Sequence, residues 1–242
     1  MDQDKRLHKK PPLAVRLSMR SECPYIAGRT EQRVAVDISQ NPTLHDQMAR
    51  AGFRRVENWV YKPACQDCQA CQPIRVVCSE FSQSRNMKRL AAKHADLIAT
   101  VLEGPLTDEH YDLFQRYLTS RHVDGQMGGM SKEEFSSMVE NSPISSLLID
   151  YRDTEGVLLA SVLVDLQSDG LSAVYSFFEP DCPERSFGNF IILDLINRVQ
   201  QSEAPYLYLG YYIAESRKMS YKARYTPFEI FHGGTWQRGS SL

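Results

Sequence analysis

Between Ser145 and Phe178 the chain carries three runs rich in branched and aromatic residues, Ser145–Tyr151, Val157–Leu166 and Leu171–Phe178. Two turn signals separate them, Asp153-Thr154-Glu155-Gly156 and Ser168-Asp169-Gly170, so the runs read as consecutive antiparallel strands, with a meander as the simplest pairing. After them Arg185–Asn189 leads into an apolar helix over Phe190–Val199, and Tyr206–Ile213 reads as a further strand. Before them Thr107 caps a helix in which Tyr111, Phe114 and Leu118 recur at helical spacing. The segment Asp124–Gly129 cannot easily be regular, and Ser131 with Glu134 forms a capping box that starts a second helix.

The order helix, helix, strands, helix, strand is that of an N-acetyltransferase-like (GNAT) fold. Glu103-Gly104-Pro105 marks the change of pattern. The expectation is an α+β protein with a GNAT-like catalytic domain over 104–242 and a smaller cysteine-bearing α+β domain over 1–103. In that first part Phe53–Tyr61 alternates as a strand and Ile74–Cys78 is a second β-branched run. A helix is expected from Thr43 to Gly52, with Thr as cap and Gly as terminator. Another, about Ser84–Leu97, gathers Arg85, Lys88, Arg89 and Lys93 largely on one side. Met1–Lys10 reads as a charged leader without an assigned role.

A chain of 242 residues with 42% apolar and 24% charged residues has the balance of an ordinary folded enzyme or binding protein. No apolar run approaches the roughly 18 residues that cross a bilayer, so no membrane partner and a cytoplasmic location are expected. The formal charge of −2 means that contact with nucleic acid must come from a local basic patch, and it argues against tight non-specific binding to DNA.

Six cysteines are present, three of them in Cys65-x2-Cys68-x2-Cys71. A loop there can turn three sulfurs toward one centre, and Cys23 or Cys78 could complete a tetrahedral zinc site or hold an iron–sulfur cluster. The spacing favours a metal or cluster, with small buried thiols in a tight turn as the alternative. Cys182 is a loop thiol.

In GNAT-type enzymes a strand is followed by a glycine-containing loop at a helix N-terminus, whose exposed N–H groups bind the phosphates of the acyl donor. Here that piece is Tyr175–Phe178 followed by Arg185-Ser186-Phe187-Gly188-Asn189, with one glycine, and it also reads as an ordinary loop. Downstream, Lys218-Met219-Ser220-Tyr221-Lys222-Ala223-Arg224-Tyr225 interleaves rings and cations. That pattern suits a nucleic-acid end, where rings stack on bases and cations meet phosphates, or an amphipathic surface segment.

Together these pieces resemble the arginyl-tRNA–protein transferase family, most closely its short bacterial branch, the aspartate/glutamate leucyltransferases. The resemblance rests on Cys23-Pro24-Tyr25 with Gly28-Arg29 and Glu31, Gly52-Phe53-Arg54-Arg55, Tyr61-Lys62-Pro63 with the three clustered cysteines, Pro73-x-Arg75 and Ser82–Arg89. It continues through Tyr117, Arg121-His122, Leu209–Ile213, Met219–Lys222 and Pro227-x-Glu229. It implies transfer of leucine from leucyl-tRNA to proteins with N-terminal Asp or Glu, marking them for N-end-rule degradation. Transfer of arginine, or acyl-CoA-dependent N-acetylation, is the alternative. It also implies Cys23, Cys65, Cys68 and Cys71 as the ligands of any structural zinc or iron–sulfur cluster, with no cofactor required for the chemistry.

An aminoacyl ester is already activated, so the enzyme need only align it with a neutral α-amine and stabilise the tetrahedral oxyanion. The expected oxyanion partners are a backbone N–H near Gly188 or the Tyr175 hydroxyl. Lys218, Lys222 and Arg224 are expected on the tRNA 3′ end, with Tyr221 as a stacking platform, and Arg85, Lys88 and Arg89 on the acceptor stem. A guanidinium matches the acidic acceptor side chain best, in the order Arg75 before Arg54 and Arg29. Structural ion pairs are the alternative for Arg54 and Arg75.

Overall fold

The computed structural model describes residues 13–121 and 129–240. Met1–Lys10, His122 and most of the Asp124–Gly129 segment lie outside the described residues. The chain opens with short strands β1 (Val15–Leu17), β2 (Ser21–Glu22), β3 (Thr30–Glu31) and β4 (Arg33–Asp37), then helix α1 (Leu44–Arg50) and strands β5 (Arg54–Val56) and β6 (Trp59–Pro63). Strand β7 (Gln72–Val77), helix α2 (Arg85–Lys93), strand β8 (Ile98–Val101) and helices α3 (Asp108–Arg121) and α4 (Lys132–Glu140) follow. The expected meander is β9 (Ser146–Arg152), β10 (Leu158–Gln167) and β11 (Gly170–Phe178). Helix α5 (Phe187–Gln201), strand β12 (Tyr206–Tyr212), the short helix α6 (Arg217–Ser220) and the strands β13 (Phe228–His232) and β14 (Thr235–Arg238) complete it.

The result is a mixed α/β architecture on two main sheets. One has four strands in the order β1-β4-β6-β5; the other has eight, β14-β13-β7-β12-β11-β10-β9-β8. Strands β7 and β8 precede Glu103 yet belong to the larger sheet, so the sheets divide between β6 and β7 and not at residue 103. The alternating run Phe53–Tyr61 is a hairpin and not one strand: Glu57, at φ 48°, turns the chain so that Val56 pairs with Trp59. Helix α2 stops at Lys93, short of Leu97: His94 leaves helical geometry at φ −111°, ψ 20°, with its ring stacked on Phe190 at 4.2 Å. Among the described residues no helix is long and apolar enough to cross a membrane.

Alternation along β10 explains how the large sheet is covered on both faces. Val162 and Val164 point to a core shared with Ile191, Leu195 and Val199 of α5, while Leu163 points to Leu113, Phe114 and Phe135 of α3 and α4. Phe114 stacks on Phe135 at 4.5 Å and meets Phe177 edge-on at 5.7 Å. Each fully buried ring contributes roughly 1.5–3 kcal/mol from area alone. Helix α4 begins with the capping box expected of Ser131 and Glu134.

The small sheet is joined to the large one by polar contacts. Arg55 grips Asp165 of β10 with Nε and NH2 at 2.8 and 2.6 Å, and Ser146 Oγ donates to the same carboxylate at 2.8 Å. His45 Nε2 stands 3.6 Å from it. Tyr211 donates to the carbonyls of Gly52 and Tyr61.

Candidate active site

Strands β11 and β12 are parallel and pair only from Gly170 to Ser172 against Tyr206 to Tyr208. Beyond that they separate, and the carbonyls of Ala173 and Val174 lose their ladder partners. Arg54 replaces them: its NH2 donates to both, at 3.0 and 2.9 Å. Gly210 makes room for it, since a Cβ there would lie 2.0 Å from Arg54 NH1, and its φ of +77° also excludes ordinary side chains. One glycine and one arginine thus hold the sheet open.

The opening leads to a cavity of about 730 Å3. Its walls are β11 from Ala173 to Ser176, the start of α5 at Ser186–Asn189, and the segment Arg217–Arg224. Apolar side chains line part of it, among them Val162, Phe178, Ile191, Ile192 and Leu209. Its charged lining residues are all cations, Arg54, Arg217, Lys218, Lys222 and Arg224; no Asp, Glu or His lines it among the described residues. Lys218, Arg217 and Arg224 are exposed at its rim.

Lys222, expected on phosphate, is different from these. It is 6% exposed, and its Nζ donates to the Tyr211 carbonyl at 2.6 Å, with Met219 Sδ 3.4 Å away. Burial, and then the Arg54 charge, bring its ammonium down from the ordinary lysine range to about 7. A solvated phosphate anchor would not be packed this way. Tyr221 also lines the cavity, and burial raises its hydroxyl above the ordinary tyrosine value.

Both expected oxyanion partners line the same cavity. The Tyr175 hydroxyl is buried and has no hydrogen-bond partner among the described residues, and burial, followed by Tyr117, raises its titration above the ordinary range, so it is a protonated donor at neutral pH. Ser186 takes the left-handed conformation, φ 52°, as it leads into α5 without a side-chain cap, which leaves first-turn N–H groups to a ligand. Gly188 sits in that turn. A Cβ on it would meet only Phe178, at 3.4 and 3.6 Å, so packing within the protein does not demand glycine there.

The structure separates the three candidate arginines. Arg75, ranked first for the acidic acceptor, is engaged in the ion pair that was its alternative reading. Its Nε and NH2 reach Glu229 at 2.9 and 2.7 Å, NH1 donates to Tyr208, and the rings of Tyr206 and Trp236 lie 3.5 and 4.3 Å from its guanidinium carbon. Sequence could not show this, because Glu229 lies on β13, 154 positions away. Arg29 is exposed, bonds the Asp67 carbonyl and faces a second cavity. Arg54 alone of the three lines the cavity between β11 and β12.

That second cavity, about 360 Å3, is lined by Cys23, Cys65, Cys68 and Cys71. Cys78 is fully buried elsewhere, its carbonyl bonded by Gln200, so it does not join them. Burial and the three neighbouring thiols push Cys71 up to about 11. Among the described residues no three His, Cys, Asp or Glu side chains are placed to hold a metal ion. Cys23, Cys65, Cys68 and Cys71 thus share one cavity as free thiols.

Arg85, Lys88 and Arg89 are exposed on α2, whose other face carries Met87 and Leu90 against the core. Lys93 at its end donates to the Glu184 carbonyl at 2.8 Å, and Arg185 pairs with Asp96. These contacts tie α2 to the turn whose Pro183 lines the large cavity. Arg217 and Ser186 are site residues that the sequence reading did not single out. Arg217 had a signal, as the first cation of the stretch ending at Arg224.

Family models described as Arginine-tRNA-protein transferase, N terminus and C terminus, match residues 21–89 and 109–232. The chain is 44% identical to an aspartate/glutamate leucyltransferase of Granulibacter bethesdensis, covering 90% of this chain and 82% of that protein. To those of Paramagnetospirillum magneticum and Maricaulis maris it is 43% and 41% identical, over 89% and 93% of this chain and 89% and 90% of theirs. Among solved structures, L-PGS from Bacillus licheniformis aligns at a TM-score of 0.46 and 12% identity over 59% of this chain and 45% of its own. A fungal GCN5-related glucosamine N-acetyltransferase region aligns at 0.44 and 12% identity, over 66% of this chain and 20% of that one. With both halves matched and sequence relatives sharing nearly their whole length, this chain belongs to the aspartate/glutamate leucyltransferase family.

Proposed function

We propose that this protein moves leucine from leucyl-tRNA to the α-amine of proteins that begin with Asp or Glu, in the cytoplasm, so marking them for N-end-rule degradation. The large sheet then acts as a GNAT-like acyl-transfer scaffold, a reading supported by the parting of β11 from β12 and by α5 starting at the opening.

The observation that carries the substrate assignment is the lining of the large cavity, which combines apolar residues with cations and has no acid among its described residues. Its exposed cations Arg217, Lys218 and Arg224 suit the phosphates of a tRNA 3′ end, which position a substrate. Its apolar wall suits a leucyl side chain. An arginyl side chain would bring a sixth cation among five and find no carboxylate, and a buried unpaired charge is costly. The same lack favours leucine over arginine as donor. Arg54, at the opening, is the cation for an acidic acceptor side chain, and Tyr175 with the first N–H groups of α5 supports the oxyanion.

The deciding experiment is single-turnover transfer of labelled leucine and arginine from charged tRNA to peptides beginning with Asp, Glu or Ala. Leucine on the Asp and Glu peptides alone is expected. Arginine transfer would overturn the donor assignment, and consumption of acetyl-CoA with no tRNA-dependent product would overturn the reaction.

Helix α2 is proposed to meet the acceptor stem, because Arg85, Lys88 and Arg89 are exposed on it and Lys93 ties its end to the turn bordering the cavity. Each phosphate neutralised on a duplex adds about 0.9 to the salt dependence of affinity. Replacing Arg85, Lys88 and Arg89 by alanine should therefore flatten the plot of log affinity against log salt by roughly 2 to 3. An unchanged slope for charged tRNA would remove α2 from the interface.

A further inference from the structure

We infer that Lys222 is the catalytic proton shuttle of this site, its Nζ accepting the proton of the attacking amine and passing it to the departing ribose oxygen. The inference rests on the aminoacyl-transfer reading above and adds the group that reading lacks. Attack by a neutral amine on the ester carbonyl forms the C–N bond and leaves the nitrogen cationic. The nitrogen must lose a proton before the tetrahedral centre collapses to an amide, and the ribose oxygen must gain one as the C–O bond breaks. One shuttle serves both transfers, and the protein ends as it began.

The lining of the cavity leaves few groups for this work. It holds no carboxylate and no imidazole among its described residues, and its arginines stay protonated. Tyr175 and Tyr221 are held protonated by burial. Lys218 is exposed at the rim. Lys222 is the buried amine on the cavity wall, and the charged groups that share that wall with it are Arg54, Arg217, Lys218 and Arg224, all of them repelling a further proton. Its bond to the Tyr211 carbonyl uses one N–H and fixes the nitrogen in place, and in the neutral amine the lone pair remains for a proton. Lysines desolvated beside another cation are the ones that act as bases near neutrality. The titration of Lys222 near 7 agrees with the placement.

The test uses the full-length protein with leucyl-tRNA and an Asp-initial peptide, in single turnover from pH 5.5 to 9. The acceptor amine must itself be neutral, so the wild-type rate should fall with unit slope below about pH 8 and steepen to a slope of 2 below about pH 7, as Nζ also becomes protonated. Lys222→Met, which keeps the volume, should lose roughly 10²- to 10⁴-fold and lose the steeper limb below about pH 7, keeping only the unit slope of the acceptor amine. Lys222→Arg should be as slow, because it keeps the charge but cannot give it up. In Lys222→Ala, added small primary amines should restore part of the rate, in proportion to their basicity. A Lys222→Arg variant at wild-type rate, or a Lys222→Met variant whose pH profile is unmoved, would overturn the role and make the residue an anion anchor. Should the variants fail to fold, pH-dependent acylation of Lys222 in the wild type, read by mass spectrometry, decides: half-reaction near pH 7 is expected, and near 10 would overturn it. Failure of the wild type to transfer leucine at all would instead sink the reading on which this role depends.

Discussion

Replacing Arg54 by alanine is expected to cut kcat/KM for Asp- and Glu-initial peptides by roughly 30- to 150-fold, the equivalent of about 2–3 kcal/mol for lost hydrogen bonds to a charged group. Two effects are combined in that figure. The carbonyls of Ala173 and Val174 lose their donor just where β12 has left β11, and the acceptor carboxylate loses its guanidinium. A third effect gives the variant its signature. Arg54 helps to depress the Lys222 ammonium, so without it Lys222 holds its proton to higher pH and the acid limb of the rate profile moves upward. Arg54→Lys should restore the charge but not the fork that spans two carbonyls, leaving an intermediate rate. The comparison is made with Asp- and Ala-initial peptides across pH. An equal fall on both, with the acid limb unmoved, would reduce Arg54 to a strut.

Replacing Asp165 by alanine should destabilise the protein by about 3–5 kcal/mol, because it strands the buried charge of Arg55. The Arg55 and Asp165 side chains are each 1% exposed, and their pair joins the small sheet to β10. At about 2–4 °C per kcal/mol for a chain of this size, the melting temperature should drop by roughly 6–20 °C. Burial would raise the Asp165 carboxyl, but the contacts from His45, Arg55 and Ser146 outweigh it and hold it below the ordinary carboxylate value. Its stabilisation is therefore complete above the ordinary value, about pH 4, and is lost as the pH falls through the lower folded value. Wild-type stability should decline on acidification below that range, and the variant should lose this component of the slope. Thermal melts of both proteins from pH 3 to 7 give the answer; a variant within 1 °C of wild type would mean that the sheets are held by other contacts.

Much of the fold was readable because its signals are local. The meander β9–β10–β11, the capping box at Ser131 and the apolar helix α5 each depend on residues within a few positions of one another. The hairpin of β13 and β14 rests on an equally local signal. Gly233-Gly234, with φ of 59° and 85°, is a two-residue turn between runs of strand formers. The alternation of aromatic and cationic residues from Lys218 to Arg224 is visible in the sequence, but which of them face solvent is not. Exposure divides them, with Lys218 and Arg224 at the rim and Lys222 in the wall, and exposure depends on what packs above.

Local chemistry therefore determined which segments become strands and helices, where the glycine turns fall, and which residue types gather near the transfer site. The fold alone decided the partners. Strand β7 is inserted between β12 and β13, which commits Arg75 to Glu229, while the small sheet brings Arg54 of β5 against Gly210. Three arginines of the same chemical type thus become an ion pair, a surface cation and a cavity group. Charge and hydrogen-bonding capacity belong to the residue and can be read from the sequence. Desolvation and the nearness of other charges depend on residues more than a hundred positions away, and they set whether an arginine braces a sheet or a lysine gives up its proton.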